Sequence, residues 1–241
     1  MPKPIQRQSL TDLAVDALID LIEERGLSEG DTLPATADLA AELSVSRPVI
    51  REAIAELAGQ GLLERRQGRE TVITLPGPRQ LERLLRLRFA VTGTQLEDIQ
   101  AYREVAEVGA ARLAALNATG ADLEAIQQKL DAIRAAQSEE ELHQADQAFH
   151  REVARAGGNG LLLLTIDGIA PHLHQLRVEA WRGWKESGGG IKSIVEAHAV
   201  ILDRIRRRDP EAAAQAMREH LSQAREGLVR IRGRRQQRPG A

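Results

Sequence analysis

The sequence predicts a mainly α protein in two parts, with a single small β-hairpin near the N-terminal end of the chain. Three observations predict it. Apolar residues recur at three- and four-residue spacing along most of the 241 residues. Only five side chains are aromatic, Phe89, Tyr102, Phe149, Trp181 and Trp184. The core must therefore be Leu, Ala, Ile and Val, which suits helix-on-helix packing better than a β-sandwich. Finally, Pro76-Gly77-Pro78 breaks the pattern directly after a hairpin-like segment and reads as a domain boundary.

The first helical pattern spans residues 9–25, with Leu10, Leu13, Ala14, Ala17, Leu18, Leu21 and Ile22 on one face, and Gly26 stops it. Gly30, Pro34 and the polar residues between them predict a turn. A short helix over 36–43 directs Leu39, Ala40 and Leu43 inward. Ser46 then serves as N-cap of a third helix reaching about Gln60, with Pro48 in the first turn, where a missing N–H costs little. Residues 62–65 and 71–74 read as two short strands, and the polar, glycine-containing run Arg66-Gln67-Gly68-Arg69-Glu70 forms the hairpin tip.

Beyond the boundary the pattern predicts helices over 79–91, 94–117, 119–137, 139–157, 160–185, 191–208 and 210–231. Glycine-rich or Asp-Pro breaks separate them. Short connections between long amphipathic helices imply an antiparallel bundle of six or seven helices. The expected domains are thus 1–76 and 77–241, with the Arg-, Gln- and Gly-rich tail 230–241 expected to fray.

Composition excludes several classes. There is no cysteine, which removes disulfides and thiolate-ligated zinc or iron–sulfur sites. The first ten residues lack the apolar stretch of a signal peptide, and no run approaches the ~18 apolar residues of a membrane span. A cytoplasmic protein with no membrane partner is expected. The net charge of −2 does not point to nucleic acid, and residues 1–75 carry eight Lys/Arg against thirteen Asp/Glu. The basic signal is local, in Arg47 and Arg51 and in Arg65, Arg66 and Arg69.

Two short helices joined by a tight turn and followed by a hairpin describe a winged helix-turn-helix. The second helix of such a pair enters the major groove with its N-terminal residues at the base edges. Arg47 and Arg51 lie one turn apart at that end, with Ser46 and Pro48 beside them. An arginine can bond guanine O6 and N7 together, worth ~1–3 kcal/mol of discrimination. The tip, with Arg65, Arg66, Gln67, Gly68 and Arg69, would lie along a neighbouring backbone or minor groove. On spacing alone these arginines could equally be ordinary solvated residues.

The run Gly30-Asp31-Thr32-Leu33-Pro34, then Leu39-Ala40, Val45-Ser46-Arg47-Pro48-Val49-Ile50-Arg51-Glu52-Ala53-Ile54, Leu57, Gly61-Leu62 and Gly68 resembles the GntR family of regulators. The resemblance implies a dimer that binds a palindromic double-stranded DNA operator. Arg47 and Arg51 would contact the operator, and Gly68 would enter the minor groove. The chain departs from the family at Ala35, Thr36 and Ala37, where an arginine is usual, and at Glu70, where glycine is frequent.

In the second part, Asp146 and His150 share a helix face four residues apart. His198 and His220 lie mid-helix among apolar neighbours. One carboxylate and three imidazoles suit Zn²⁺, Ni²⁺, Mn²⁺ or Fe²⁺, although isolated core histidines are usually only hydrogen-bonded. Residues 79–232 resemble the helical ligand-binding domain of the FadR-like GntR subgroup. Asp146, Phe149, His150, His198 and His220 match that domain's metal-binding pattern in order and spacing. The same resemblance gives Arg103 the effector's carboxylate and sets Glu107 one turn beyond it. Arg177 and Trp181 are added as pocket residues from helix position alone. His143, one turn before Asp146, could substitute as a ligand but is expected to cap or face solvent. A small organic acid (a hydroxy acid, dicarboxylate or sugar acid) is the implied effector, and repression is the implied action. The alternatives are a helical domain that only dimerises and a metal-dependent hydrolase. No enzyme motif stands in the chain. Residues 188–193 lack the Gly before Lys and the preceding strand that a phosphate loop needs.

Overall fold

The structure is a computed structural model that describes residues 9–66 and 70–237. The chain divides into two units at residues 80 and 81. In the first unit, α1 (Leu10–Glu24), α2 (Thr36–Glu42) and α3 (Arg47–Gly59) precede a hairpin of β1 (Leu63–Arg65) and β2 (Thr71–Ile73). The strands pair antiparallel with Glu64 opposite Val72. Leu18, Leu39, Ile50, Ile54, Leu57, Leu63 and Ile73 close the core. Truncating one such leucine to alanine typically costs ~2–5 kcal/mol.

Three details differ from the sequence reading. Residues 30–33 do not form a simple turn but run beside β2. Leu33 donates to Thr71 O at 2.8 Å, Ile73 to Asp31 O at 2.8 Å and Gly30 to Ile73 O at 2.9 Å. Helix α1 is rotated, burying Ala14, Val15, Leu18 and Leu21 while Leu10 and Leu13 are exposed. The division also falls past Pro76, because Gln80 still closes on the first unit. Gly77 N–H donates to Gln80 Oε1 at 3.1 Å, and Gly61, at φ +80°, lies against the same side chain.

The second unit holds the rest of α4 (Pro78–Thr92), followed by α5 (Leu96–Asn117), α6 (Gly120–Ala135) and α7 (Glu139–Ala156). Helices α8 (Gly160–Glu186), α9 (Ile191–Arg206) and α10 (Pro210–Gln237) complete it. Starts are set by side chains: Thr119 forms a capping box with Asp122, Ser138 accepts from Glu141 N–H, and Asn159 accepts from Leu162 N–H. Helix α10 packs on α5, α8 and α9, while α7 packs on α5, α6 and α8. Phe149, Ile126, Leu130, Ile133, Ile201 and Met217 lie at the centre of the largest apolar cluster. Helix α10 runs to Gln237, and Leu228 and Ile231 are buried. No helix among the described residues is long and apolar enough to cross a membrane.

Candidate metal centre and nucleic-acid interface

Helices α7, α9 and α10 bring Asp146, His150, His198 and His220 together. One ligand atom from each lies within 4.8 Å of the others, and the three histidines are buried. Only the Asp146/His150 pair is set by helical spacing; the other two arrive through packing around Phe149, whose ring stands 4.6 Å from that of His198. Their polar neighbours fix which nitrogen points inward. Glu107 Oε2 lies 2.6 Å from His150 Nδ1. The carboxylate favours the proton of His150 on Nδ1, although the two atoms are not aligned as a hydrogen bond. His198 Nδ1 meets Ile194 O at 2.8 Å and so takes the proton. Both rings thereby keep Nε2 for the shared centre, as outer partners of metal-bound histidines do.

Those inward nitrogens face groups that they satisfy poorly. His150 Nε2 and His220 Nε2 stand 3.2 Å apart, and His198 Nε2, 3.1 Å from Asp146 Oδ1, has no aligned partner. Ligands at ~2.1 Å from one divalent ion lie ~3.0–3.4 Å from their neighbours. The donor set is all nitrogen and oxygen, with neutral imidazoles favoured at His220, where burial and then His198 and His150 push the pKa well down. The residues present therefore fit a divalent ion of the borderline class.

Two buried arginines flank this centre. Arg103 donates from Nε to Glu107 Oε1 at 2.7 Å and sets Nη2 3.2 Å from His150 Nε2 and 3.9 Å from Asp146 Oδ2. Arg177 donates from Nε to Asp146 Oδ2 at 2.7 Å, and its Nη1 is buried with no hydrogen-bond partner. Burial and then Arg103 push the Arg177 pKa down. Burial alone would raise both carboxylates, but Arg103 and His150 hold Glu107 at about 2, and His150, His198 and Arg177 hold Asp146 well below its usual range. Burial depresses His150, yet Glu107 and Asp146 outweigh it and the pKa is raised.

A cavity opens beside this network, lined on its polar side by Arg103, His143, Asp146, Arg177, His220 and Gln223. Trp181 is also in its wall. Glu107 is not: an acceptor already engaged by Arg103 and His150, it supports the site from behind. His143, expected at the surface, is buried and lines the cavity, with its ring edge-on to that of His174 at 6.1 Å. Its one-turn spacing from Asp146 was the signal that set it on this face.

In the N-terminal unit, Ser46, Arg47, Pro48 and Arg51 stand exposed at the start of α3. Arg65 and Arg66 are also exposed, and Arg65 Nη2 reaches Arg51 O at 3.4 Å, joining β1 to α3. Ser46 occupies the N-cap position with extended backbone, but its side chain makes no capping bond. Arg66 lies 3.6 Å from Glu64. Gln67, Gly68 and Arg69 lie outside the described residues.

The comparisons agree with this division. Residues 10–73 match the bacterial regulatory proteins of the gntR family, and residues 98–223 match the FCD domain. The HTH-type transcriptional regulator LutR of Bacillus subtilis is 32% identical over 122 residues. That alignment covers 50% of this chain and 56% of LutR, so it spans little more than half of the relative's length. The solved structure of Streptococcus agalactiae GntR covers 89% of this chain and 98% of its own, at 28% identity and a TM-score of 0.68. These matched families and relatives are transcription regulators rather than enzymes. With an N-terminal gntR module and an FCD domain matching more than half of its length, the chain belongs to the FCD-containing transcription regulators of the GntR family.

Proposed function

We propose that this regulator is a dimeric repressor of a palindromic operator whose DNA affinity is set by a small organic acid bound near a divalent ion. The observation that carries the sensor half is a cluster of four metal-type ligands of which two, Asp146 and His220, line one cavity together with the buried Arg103 and Arg177. Asp146, His150, His198 and His220 would hold the ion, which would supply a Lewis-acidic contact for the effector's carboxylate. Arg103 and Arg177 would orient that carboxylate, the unpartnered Nη1 of Arg177 offering a donor with no other use. Glu107 keeps Arg103 and the His150 ring in place.

In the DNA half, Arg47 and Arg51 would read base edges in the major groove, while Ser46, Arg65 and Arg66 would meet phosphates. Two copies bring two α3 helices to two half-sites, and effector binding changes how the two are presented. An operator footprint with two equal halves would support this arrangement, and a single unpaired half-site would overturn it.

The test of the sensor is metal content. Full-length protein incubated with Zn²⁺, Ni²⁺ or Mn²⁺ and then dialysed should retain about one ion per chain, and His198→Ala should retain none. Wild-type protein that keeps no ion after all three incubations overturns the sensor reading. The helical domain would then serve dimerisation alone.

A further inference from the structure

The cavity beside the buried histidines has two unlike sides. Its charged groups form one connected knot, since Arg103 and Arg177 both contact Asp146, and Arg103 and His220 both contact His150. The remaining wall is apolar: Leu142, Ala180, Trp181, Trp184, Ile194 and Ala224. Leu142, Trp181, Trp184 and Ile194 belong to one contiguous cluster. Outside the knot, the polar groups of the lining are His143, Gln223 and the buried, unpartnered Nε1 of Trp181, with Trp184 Nε1 already engaged by Ser193.

The apolar wall is fixed in advance. Trp184 Nε1 donates to Ser193 Oγ at 3.2 Å, which ties the end of α8 to the start of α9. The intervening turn closes directly over the indole, because a Cβ on Gly189 would fall 2.2 Å from Trp184 Nε1. Only glycine permits that approach. A preformed wall of this kind binds an apolar group without the cost of ordering loose side chains.

Size sets a second limit. The free volume is about 60 Å³, on a scale where a single water needs ~10–15 Å³. A space of that size suits a short acid rather than a sugar acid or a tricarboxylate. Hydroxyls or a second carboxylate placed on the tryptophan side would lose water and find few replacement partners.

We infer that the effector is a short monocarboxylate with a branched aliphatic tail of about three to five carbons. Its carboxylate faces Arg103 and Arg177, and its tail packs on Leu142, Trp181, Trp184 and Ile194. The inference rests on the effector-sensing reading above and narrows its ligand class.

Both tryptophans of the chain line this cavity, so intrinsic tryptophan fluorescence reports on it without a label. Zn²⁺-loaded full-length protein would be titrated with 3-methylbutanoate, glycerate and malonate, three acids matched in size but not in tail polarity. Calorimetry would serve as an independent readout. The expected result is binding of 3-methylbutanoate about tenfold or more tighter than either polar acid. Ile194→Thr, which keeps the β-branch but removes the terminal methyl and adds a hydroxyl, should reduce that preference severalfold while leaving zinc content unchanged. Glycerate or malonate binding as tightly as 3-methylbutanoate overturns the apolar-tail inference and leaves acid sensing standing. No binding of any of the three to zinc-loaded protein overturns both.

Discussion

The two units place their arginines in opposite surroundings. The N-terminal unit exposes Arg47, Arg51, Arg65 and Arg66, whereas the helical unit buries Arg103 and Arg177 at 3% and 5% exposure. An exposed guanidinium keeps its water and contributes little to folding until a phosphate or guanine arrives. A buried one must be compensated on the spot, and here Glu107 and Asp146 do so. Binding chemistry and stability are therefore separable in the DNA-reading unit and inseparable in the helical one. The proposed sensor would be built from the same charges that are buried between its helices.

The strongest way to break this contrast is Glu107→Ala. The substitution leaves Arg103 without its closest carboxylate in a buried setting, where loss of one partner costs ~3–5 kcal/mol. Denaturant unfolding should show the helical unit destabilised by about that amount, with the transition of the N-terminal unit unmoved. A loss below about 1 kcal/mol, the range of exposed ion pairs, would mean that these charges are hydrated after all. Glu107→Gln should recover part of the loss, since it keeps an oxygen for Arg103.

Arg51→Ala is the opposite case and the next in size. It should weaken specific operator binding by ~1–3 kcal/mol, a factor of about five to more than a hundred. Stability should stay within about 0.5 kcal/mol of wild type, as for a surface substitution. Mobility-shift titration and thermal unfolding on the same sample check both halves. A normal affinity would sink the base-reading role, and a large stability loss would show that the 3.4 Å contact from Arg65 to Arg51 O depends on this side chain's placement.

How far the sequence speaks for each unit follows from the range of the interactions involved. Helices repeat every few residues, so Leu39 and Ala40 marked their own buried face, and Asp146 marked His150 one turn away. Pairing of residues 30–33 with β2 depends on backbone bonds across some forty positions, and nothing local announces it. The same holds for His198 and His220, which reach Asp146 only because α7, α9 and α10 all pack on α5; residue types and a family resemblance had to supply what periodicity could not. The rotation of α1 exposes a different weakness. Leu10 and Leu13 continue the apolar stripe but stand outside the core, while Val15, off that stripe, is buried. Glu107 belongs to neither group. Its spacing from Arg103 was legible, but its contact with His150 Nδ1, the one that orients a ligand, spans two helices.

The smallest predicted effects separate two serines that look alike in sequence. Ser9 and Ser46 both precede a helix with extended backbone, as N-caps do. Ser9 accepts from Asp12 N–H at 3.0 Å while Asp12 reaches back to Ser9 N–H at 3.2 Å, a complete capping box. Ser46 makes no such bond, and Pro48 has removed one of the amides that it would serve. Ser9→Ala should therefore cost ~1 kcal/mol of stability in the N-terminal unit and leave DNA binding unaffected at temperatures well below unfolding. Ser46→Ala should cost less than about 0.5 kcal/mol yet lower operator affinity severalfold, because the free hydroxyl is placed to donate to a phosphate at the start of α3. The loss should be equal for operator and random DNA, since a phosphate contact positions the helix without reading sequence. A loss confined to the operator would instead assign Ser46 to a base edge, and a stability loss as large as that of Ser9→Ala would show that its hydroxyl caps α3 in solution.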